Sequence, residues 1–127
     1  MGLDQYAYAV MPHKDNTDLD FVWNRDNEPD NYKEFFYWRK NPNLHGWMES
    51  LYRSKGGEGQ FNCSPLRLTF KDIQDLEDAV KGEKLPHTEG FFFGHSRLED
   101  DQMNFEFIRQ AREAIAMDMQ VYYYSWW

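Results

Sequence analysis

The chain has 127 residues, a formal net charge of −8 and 18% aromatic residues, which suits one domain with part of its aromatic surface exposed or shared with a partner. The negative charge argues against duplex nucleic acid as a partner, because surfaces that bind phosphates are basic. We also expect no membrane span and no signal peptide, and a single cysteine, Cys63, excludes an internal disulfide, so a reducing cytoplasm is expected.

The first half of the chain predicts a strand, a long loop and a second strand. Residues 2–10 carry apolar side chains on both faces, which is typical of a central strand. Residues 12–34 carry seven carboxylates against three cations and are predicted to form a long acidic loop. Their polar composition predicts that the loop is dispensable for folding. Residues 35–40 alternate in character and predict the second strand.

The second strand is predicted to turn directly into a helix. Asn41 is a good N-cap, and Pro42 suits the first helical position, where no backbone donor is needed. An apolar stripe then recurs at helical spacing and ends before Gly56. Gly46 lies inside this helix at a cost of about 1 kcal/mol relative to alanine. It therefore indicates close approach of another backbone or of a ligand.

The second half predicts three more strands and two more helices. Residues 61–68 predict a third strand, and Thr69 predicts the N-cap of a helix that Gly82 ends. Residues 90–94 predict a fourth strand. The longest helix is predicted at residues 98–118, and residues 120–127 predict a final strand.

These elements predict one α+β domain over residues 1–127, a two-layer sandwich. Its mixed sheet would have about five strands, with three helices mainly on one face. The strands at the two ends of the chain are expected to pair in the middle of the sheet. The opposite face would then carry partly exposed tyrosine and tryptophan side chains, a platform for a flat ligand or a partner. Alternatively, the long loop or a second copy of the chain covers it.

Several familiar sites are not supported by the motifs. The glycine-rich residues 56–59 follow a helix and lack the Lys-Ser/Thr pair of a phosphate-binding loop, so they predict a turn. The acidic loop fits no EF-hand register. No pair of histidines has metal-binding spacing, and neither a metal nor a cofactor is expected, although the fold is able in principle to assemble His45, His87, His95 and Cys63. Cys63 itself is predicted to be a packed thiol within a strand.

Arg39 is the centre of the predicted binding site. It is either a buried arginine paired with Asp4 or Glu58, or an anion clamp at the start of the first helix, where His45 lies in the first turn. Aromatic side chains of the final strand would stack on a base, so the ligand would be nucleotide-like. The candidate ligand-binding residues are Trp38, Arg39, His45, Trp47, Glu58, Tyr122, Tyr124 and Trp126.

Five segments carry a resemblance to a known family. They are residues 1–4 (Met-Gly-Leu-Asp), 37–40 (Tyr-Trp-Arg-Lys), 43–47, 85–94 (with Gly-Phe-Phe-Phe-Gly) and 122–127 (Tyr-Tyr-Tyr-Ser-Trp-Trp). In these, the chain resembles a family of short uncharacterised proteins of tailed bacteriophages and prophages, closest to versions from marine and cyanobacterial phages. The resemblance implies a viral protein that acts in the host cytoplasm, and it brings no catalytic residues.

Three classes of function follow as hypotheses. The first is a phage accessory protein that binds a small anionic ligand, nucleotide-like or a signal, and counters host defence; its mark is an apolar pocket containing Arg39 and His45. The second is an acidic protein–protein inhibitor of a host factor, marked by an acidic face. The third is a small hydrolase using Glu58, His45 or Cys63 in a cleft. A second copy of the chain, forming a homodimer, is a further candidate partner.

Overall fold

A computed structural model of the chain describes residues 2–22, 32–88 and 98–127, with only the backbone of residues 98 and 99. The elements are β1 (Asp4–Val10), β2 (Tyr32–Arg39), α1 (Pro42–Ser54), β3 (Leu66–Leu68), α2 (Phe70–Lys81), α3 (Leu98–Ala116) and β4 (Gln120–Trp126). The predicted strand at residues 90–94 lies outside the described residues. No helix in the described ranges has both the length and the apolar character needed to cross a bilayer.

The four strands form one antiparallel sheet in the order β2-β1-β4-β3. The strands at the two ends of the chain, β1 and β4, are the central pair, which confirms the prediction from the sequence. The pairings among the described residues are all antiparallel, whereas a mixed sheet was expected. Two neighbouring strands are typically parallel when a single crossover helix connects them. Here β3 and β4 are separated by both α2 and α3, and the chain returns antiparallel.

All three helices pack on the same side of the sheet, which we call the inner face. Their buried side chains form one core with the inward-facing residues of the strands. The residues at its centre include Ala7, Trp38, Leu44, Met48, Leu66, Leu68, Ile73, Leu76, Phe107, Ile108, Ala111, Val121 and Tyr123. The protein is therefore a single α+β domain with one covered face and one opposite face, which we call the outer face.

The predicted starts of α1 and α2 are confirmed. The Asn41 side chain accepts a hydrogen bond from the Leu44 N–H. Thr69 and Asp72 form a reciprocal capping box at the start of α2. Asp72 also accepts a 2.6 Å bond from Lys55 Nζ at the end of α1, and both side chains are largely buried. One carboxylate thus caps α2 and ties it to α1.

Gly46 is a point of close approach, but the approaching group is a side chain and not the backbone or ligand that the sequence predicted. A Cβ at this position would lie 1.8 Å from Oγ1 of Thr88. Thr88 is held there because its N–H donates to Asn43 Oδ1 at 3.0 Å. The glycine therefore lets the segment that follows α2 lie directly on α1.

The strand predicted at residues 61–68 is shorter than expected, and this corrects the interpretation of Cys63. The paired segment is only Leu66–Leu68. Cys63 precedes it at a φ of 57°, and its side chain is exposed rather than packed in a strand. Pro65 lies between the two and has no N–H for a sheet hydrogen bond, which explains why regular pairing begins only after it.

The first part of the acidic loop packs on the outer face, which argues against the prediction that the whole loop is dispensable for folding. Phe21 is buried, with its ring 4.8 Å from the Tyr122 ring. Tyr122 Oη donates to the backbone oxygens of Thr17 and, at 3.1 Å, Asp20. The loop thus covers one end of the outer face and forms a small second core with Val10 and Tyr122.

Replacing Phe21 with alanine is expected to destabilise the protein by about 3 kcal/mol, the usual loss for a buried phenylalanine. Met11→Ala, at an exposed position immediately before the same loop, should have little effect. Urea denaturation of both variants measures the difference. Equal midpoints for the two variants would show that the loop contributes nothing to the fold.

Candidate functional site on the outer face of the sheet

Three rows of side chains cross the outer face, because facing residues on β2, β1 and β4 are in register. The rows are Arg39–Asp4–Trp126, Tyr37–Tyr6–Tyr124 and Glu34–Tyr8–Tyr122. We call the five rings that the loop leaves partly open the outer aromatic face: Tyr6, Tyr8, Tyr37, Tyr124 and Trp126. Trp126 is 61% exposed and Tyr37 is 43% exposed, so large aromatic side chains remain in contact with water.

Tyr6 lies at the centre of the outer aromatic face. Its ring centroid is 5.3 Å from that of Tyr37 and 6.4 Å from those of both Tyr8 and Tyr124. Tyr8 and Tyr124 are 6.2 Å apart. These spacings are typical of interacting aromatic pairs, so the rings support one another and form a continuous surface.

A bulge in β2 brings Glu34 to this face. Phe36 faces Ala7 and Glu34 faces Tyr8, so Phe35 is an extra residue between two paired ones. The extra residue lets both phenylalanine rings pack on Phe107 of α3, at 5.9 and 5.8 Å. It also reverses the alternation, which moves Glu34 from the inner to the outer face. If side chains alternated strictly along β2, Glu34 would lie on the inner face.

Carboxylates lie beside the tyrosine rings. Tyr37 Oη donates to Asp4 Oδ1 at 2.6 Å, and this hydrogen bond, together with burial, raises the pKa of Tyr37 to about 12. Burial and then Glu34 raise the pKa of Tyr8 to about 12. Burial, Asp4 and Glu34 also raise the pKa of Tyr6. The hydroxyls therefore stay neutral at physiological pH, and two negative charges border the rings.

A shallow cavity of about 330 Å³ adjoins the first row, lined by Gly2, Asp4, Trp126 and Trp127. Trp127 is held firmly beside it. Its Nε1 donates to the Phe61 carbonyl at 3.0 Å, and its backbone N–H donates to Asn62 Oδ1 at 3.0 Å. The last residue is thus an ordered wall of the cavity.

The structure separates the two residues that were expected to form one pocket. Arg39 lies on the outer face, 58% exposed, with Nε 3.8 Å from Asp4 Oδ1. His45 lies on α1 against the inner face and is only 2% exposed. Arg39 is therefore neither buried nor beside His45, because strand alternation and helix phase direct the two side chains to opposite sides of the sheet.

The other candidates divide in the same way. Tyr124 and Trp126 accompany Arg39 on the outer face, whereas Tyr122 is buried beneath the acidic loop. Trp38 lies in the core, and Trp47 packs partly buried against it. Glu58 is exposed in the turn after α1, with its carbonyl accepting a bond from Tyr52 Oη at 2.9 Å. Their ligand-binding roles stay predictions.

His45 belongs to a buried polar chain that the sequence did not indicate. Gln5 Nε2 donates to Tyr123 Oη at 3.0 Å, and Tyr123 Oη lies 2.8 Å from His45 Nδ1. Gln5 Oε1 accepts from the Asn41 N–H at 2.9 Å. Burial lowers the pKa of His45 to about 4, so the imidazole is neutral near pH 7. One signal in the sequence could have indicated this chain: Gln5 is a polar residue within a strand that was predicted to be central.

The neutral state of His45 predicts a loss of stability in acid. An unfolded histidine titrates near pH 6.5, whereas the folded protein holds the His45 pKa at about 4. Between these values the unfolded chain binds a proton that the folded chain does not. The contribution is complete above about pH 6.5 and is lost as pH falls to 4, roughly 3 kcal/mol in all.

Urea denaturation between pH 7 and pH 4.5 measures this loss. His45→Gln should flatten the pH dependence. His13→Gln, at an exposed position, is the matched control and should retain the dependence of the parent protein. The same pH dependence in His45→Gln as in the parent would assign the acid sensitivity to other groups.

In comparisons with known proteins, no family model matches the chain, and neither a curated protein nor a solved structure matches it. Within the parts of the chain that the structure describes, no group of three or more His, Cys, Asp or Glu side chains is placed to hold a metal ion.

Proposed function

We propose that this chain is a bacteriophage accessory protein that acts in the infected host by binding a host protein through its outer aromatic face. The phage origin rests on the resemblance of the five sequence segments. The observation that carries the binding surface is the exposure of Trp126 and Tyr37, 61% and 43%, on the side of the sheet opposite to all three helices. Tryptophan, tyrosine and arginine are the residues that contribute most at protein interfaces.

The shape of the surface supports a protein partner. Its rows span three adjacent strands, a width of about 10 Å, and the four tyrosine rings lie along the sheet, while the shallow cavity is lined by only one of the five rings, that of Trp126. Small ligands are usually enclosed on most sides, whereas a protein partner can cover an open sheet face. The rings would form the centre of such an interface, with the charged ends of the rows at its rim.

The proposal is tested by comparing two double variants as baits in host lysate. Tyr37→Ser/Trp126→Ser removes the exposed rings of the outer aromatic face. Phe70→Ser/Met117→Ser is the matched control, since both residues are exposed apolar positions outside the sheet. Each captured protein is identified by mass spectrometry and purified, and its affinity for all three baits is measured by calorimetry.

We expect a purified host protein that binds the parent and the control equally and binds the outer-face variant at least about tenfold more weakly. Equal binding by both double variants would contradict the proposal. Sedimentation of the bait alone provides a second check, because a stable homodimer that buries these rings would assign the face to a second copy.

A nucleotide-like ligand in the cavity beside Trp126 is a second candidate. The observation in its favour is the volume of about 330 Å³, at the lower end of ligand pockets, together with Asp4 in the lining, whose Oδ1 lies 3.8 Å from Nε of the exposed Arg39. Thermal melts with mono-, di- and cyclic nucleotides test it. A shift for the parent that Arg39→Ala abolishes would support this candidate. The hydrolase hypothesis has less support, because His45 is sealed inside the core while Glu58 and Cys63 are exposed.

A further inference from the structure

We infer that the centre of the outer aromatic face binds a positively charged side chain, with arginine as the preferred group, so that the partner presents a basic segment. This inference rests on the proposed function, because it names the chemistry by which that surface would recognise its partner. It is carried by two independent features, the arrangement of the rings and the charges around them.

The rings offer a platform of the right size for one guanidinium. The centroids of Tyr6, Tyr8 and Tyr124 form a triangle with sides of 6.4, 6.4 and 6.2 Å. A cation resting about 4 Å above its middle lies within about 6 Å of all three centroids, the range of cation–π attraction. A planar guanidinium is also able to stack on a ring while donating to a neutral tyrosine hydroxyl.

The charges at the edge of the rings favour the same occupant. Asp4 and Glu34 both act on Tyr6, and Glu34 also acts on Tyr8. Among the described residues Asp4 is matched by Arg39, and Glu34 forms no ion pair with a lysine or arginine. An incoming cation would therefore meet the aromatic rings and the Glu34 carboxylate together.

Charge complementarity argues against the other occupants. A second copy of this chain carries a net charge of −8 and would bring the same carboxylates against themselves. A nucleic acid strand would meet like charge as well. A basic protein segment is attracted at long range by the net negative charge and at short range by the carboxylates and rings of the outer face. This attraction speeds association and selects the partner.

The test uses capped peptides of one length: (Gly-Arg)₄, (Gly-Gln)₄ and (Gly-Glu)₄. NMR titrations of the whole protein locate the binding site from the ring resonances of the tyrosines. Because any acidic protein attracts a basic peptide, two variants with the same change in net charge are compared. Glu34→Gln alters the outer face, and Glu113→Gln alters an exposed position on α3.

We expect (Gly-Arg)₄ to shift the resonances of Tyr6, Tyr8 and Tyr124 and the other two peptides to leave them unmoved. Glu34→Gln should weaken (Gly-Arg)₄ binding by about two- to fivefold, while Glu113→Gln leaves it within error. Tyr124→Leu should weaken it by a similar factor, because leucine keeps the apolar bulk without the ring. Equal losses in Glu34→Gln and Glu113→Gln, or shifts spread over the helices, would overturn the inference.

Failure of this inference is distinguishable from failure of the proposed function. Suppose that a purified host protein loses affinity for Tyr37→Ser/Trp126→Ser, but the affinity of the arginine peptide is the same for Glu34→Gln and for the parent. The surface is then a protein interface that does not recognise a cation. If the arginine peptide binds at the three tyrosines but no host protein depends on the outer aromatic face, the cation site stands and the proposed function falls.

Discussion

Deletion of residues 124–127 is expected to abolish the cooperative unfolding transition. The deletion removes the last three of the seven residues of β4, a central strand that pairs with both β1 and β3. It takes away the buried Ser125 and the outer-face rings of Tyr124 and Trp126, and it exposes a new edge on β1. It also removes Trp127, whose two hydrogen bonds hold the segment around Phe61.

Circular dichroism and calorimetry of the truncated chain measure the effect. The matched control is full-length Trp126→Ser, which changes the same strand at an exposed position and should melt cooperatively. A truncated protein that melts within a few degrees of the parent would show that the end of β4 is a tail rather than part of the core.

The second large loss of stability is expected from removing a tryptophan of the inner face, with a tryptophan of the outer face as its control. Trp38 is 1% exposed, with its ring centroid 4.7 Å from Phe107 and 6.2 Å from Tyr123. Trp38→Ala should therefore cost about 3–5 kcal/mol. Trp126→Ala, on the outer aromatic face, should change the free energy of unfolding by no more than about 0.5 kcal/mol.

Urea denaturation of the two alanine variants gives the comparison directly, because the residue type and the substitution are the same. Similar losses for both would mean that the outer face is as closely packed as the inner one. In that case the exposed rings would belong to the stability of the fold, and a reason to regard them as a binding surface would disappear.

The helices were predictable from the sequence because their signals are local. Asn41 with Pro42 marks the start of α1, and Thr69 with Asp72 marks the start of α2, each within four residues of chain. Caps act through hydrogen bonds to the adjacent turn, so no knowledge of the tertiary fold is needed. The central pairing of β1 with β4 was also accessible, because both carry apolar side chains on two faces.

The candidate site was less predictable because it depends on contacts between distant parts of the chain. Arg39 and His45 are close in sequence, yet a strand and a helix direct them to opposite sides of the sheet. Glu34 reaches the outer face only through the bulge at Phe35, which no alternation pattern indicates. Phe21 lies in a polar loop, and its burial depends on Tyr122, a hundred residues away.

The two faces of the sheet thus differ in chemistry. The inner face holds the helices and a sealed polar chain through His45, Tyr123 and Gln5, which serves the stability of the fold. The outer face is partly covered by the acidic loop and leaves five aromatic side chains beside Asp4 and Glu34.

The most direct measurement is hydroxyl-radical footprinting of the protein with and without its purified host partner. Oxidation of Tyr37 and Trp126 should slow by about fivefold or more in the complex, since residues at the centre of an interface are shielded from water. Oxidation of Phe70 and Met117, exposed away from the sheet, should be unchanged. Protection of Phe70 and Met117 with unchanged oxidation of Tyr37 and Trp126 would contradict the assignment of the outer aromatic face as the binding surface.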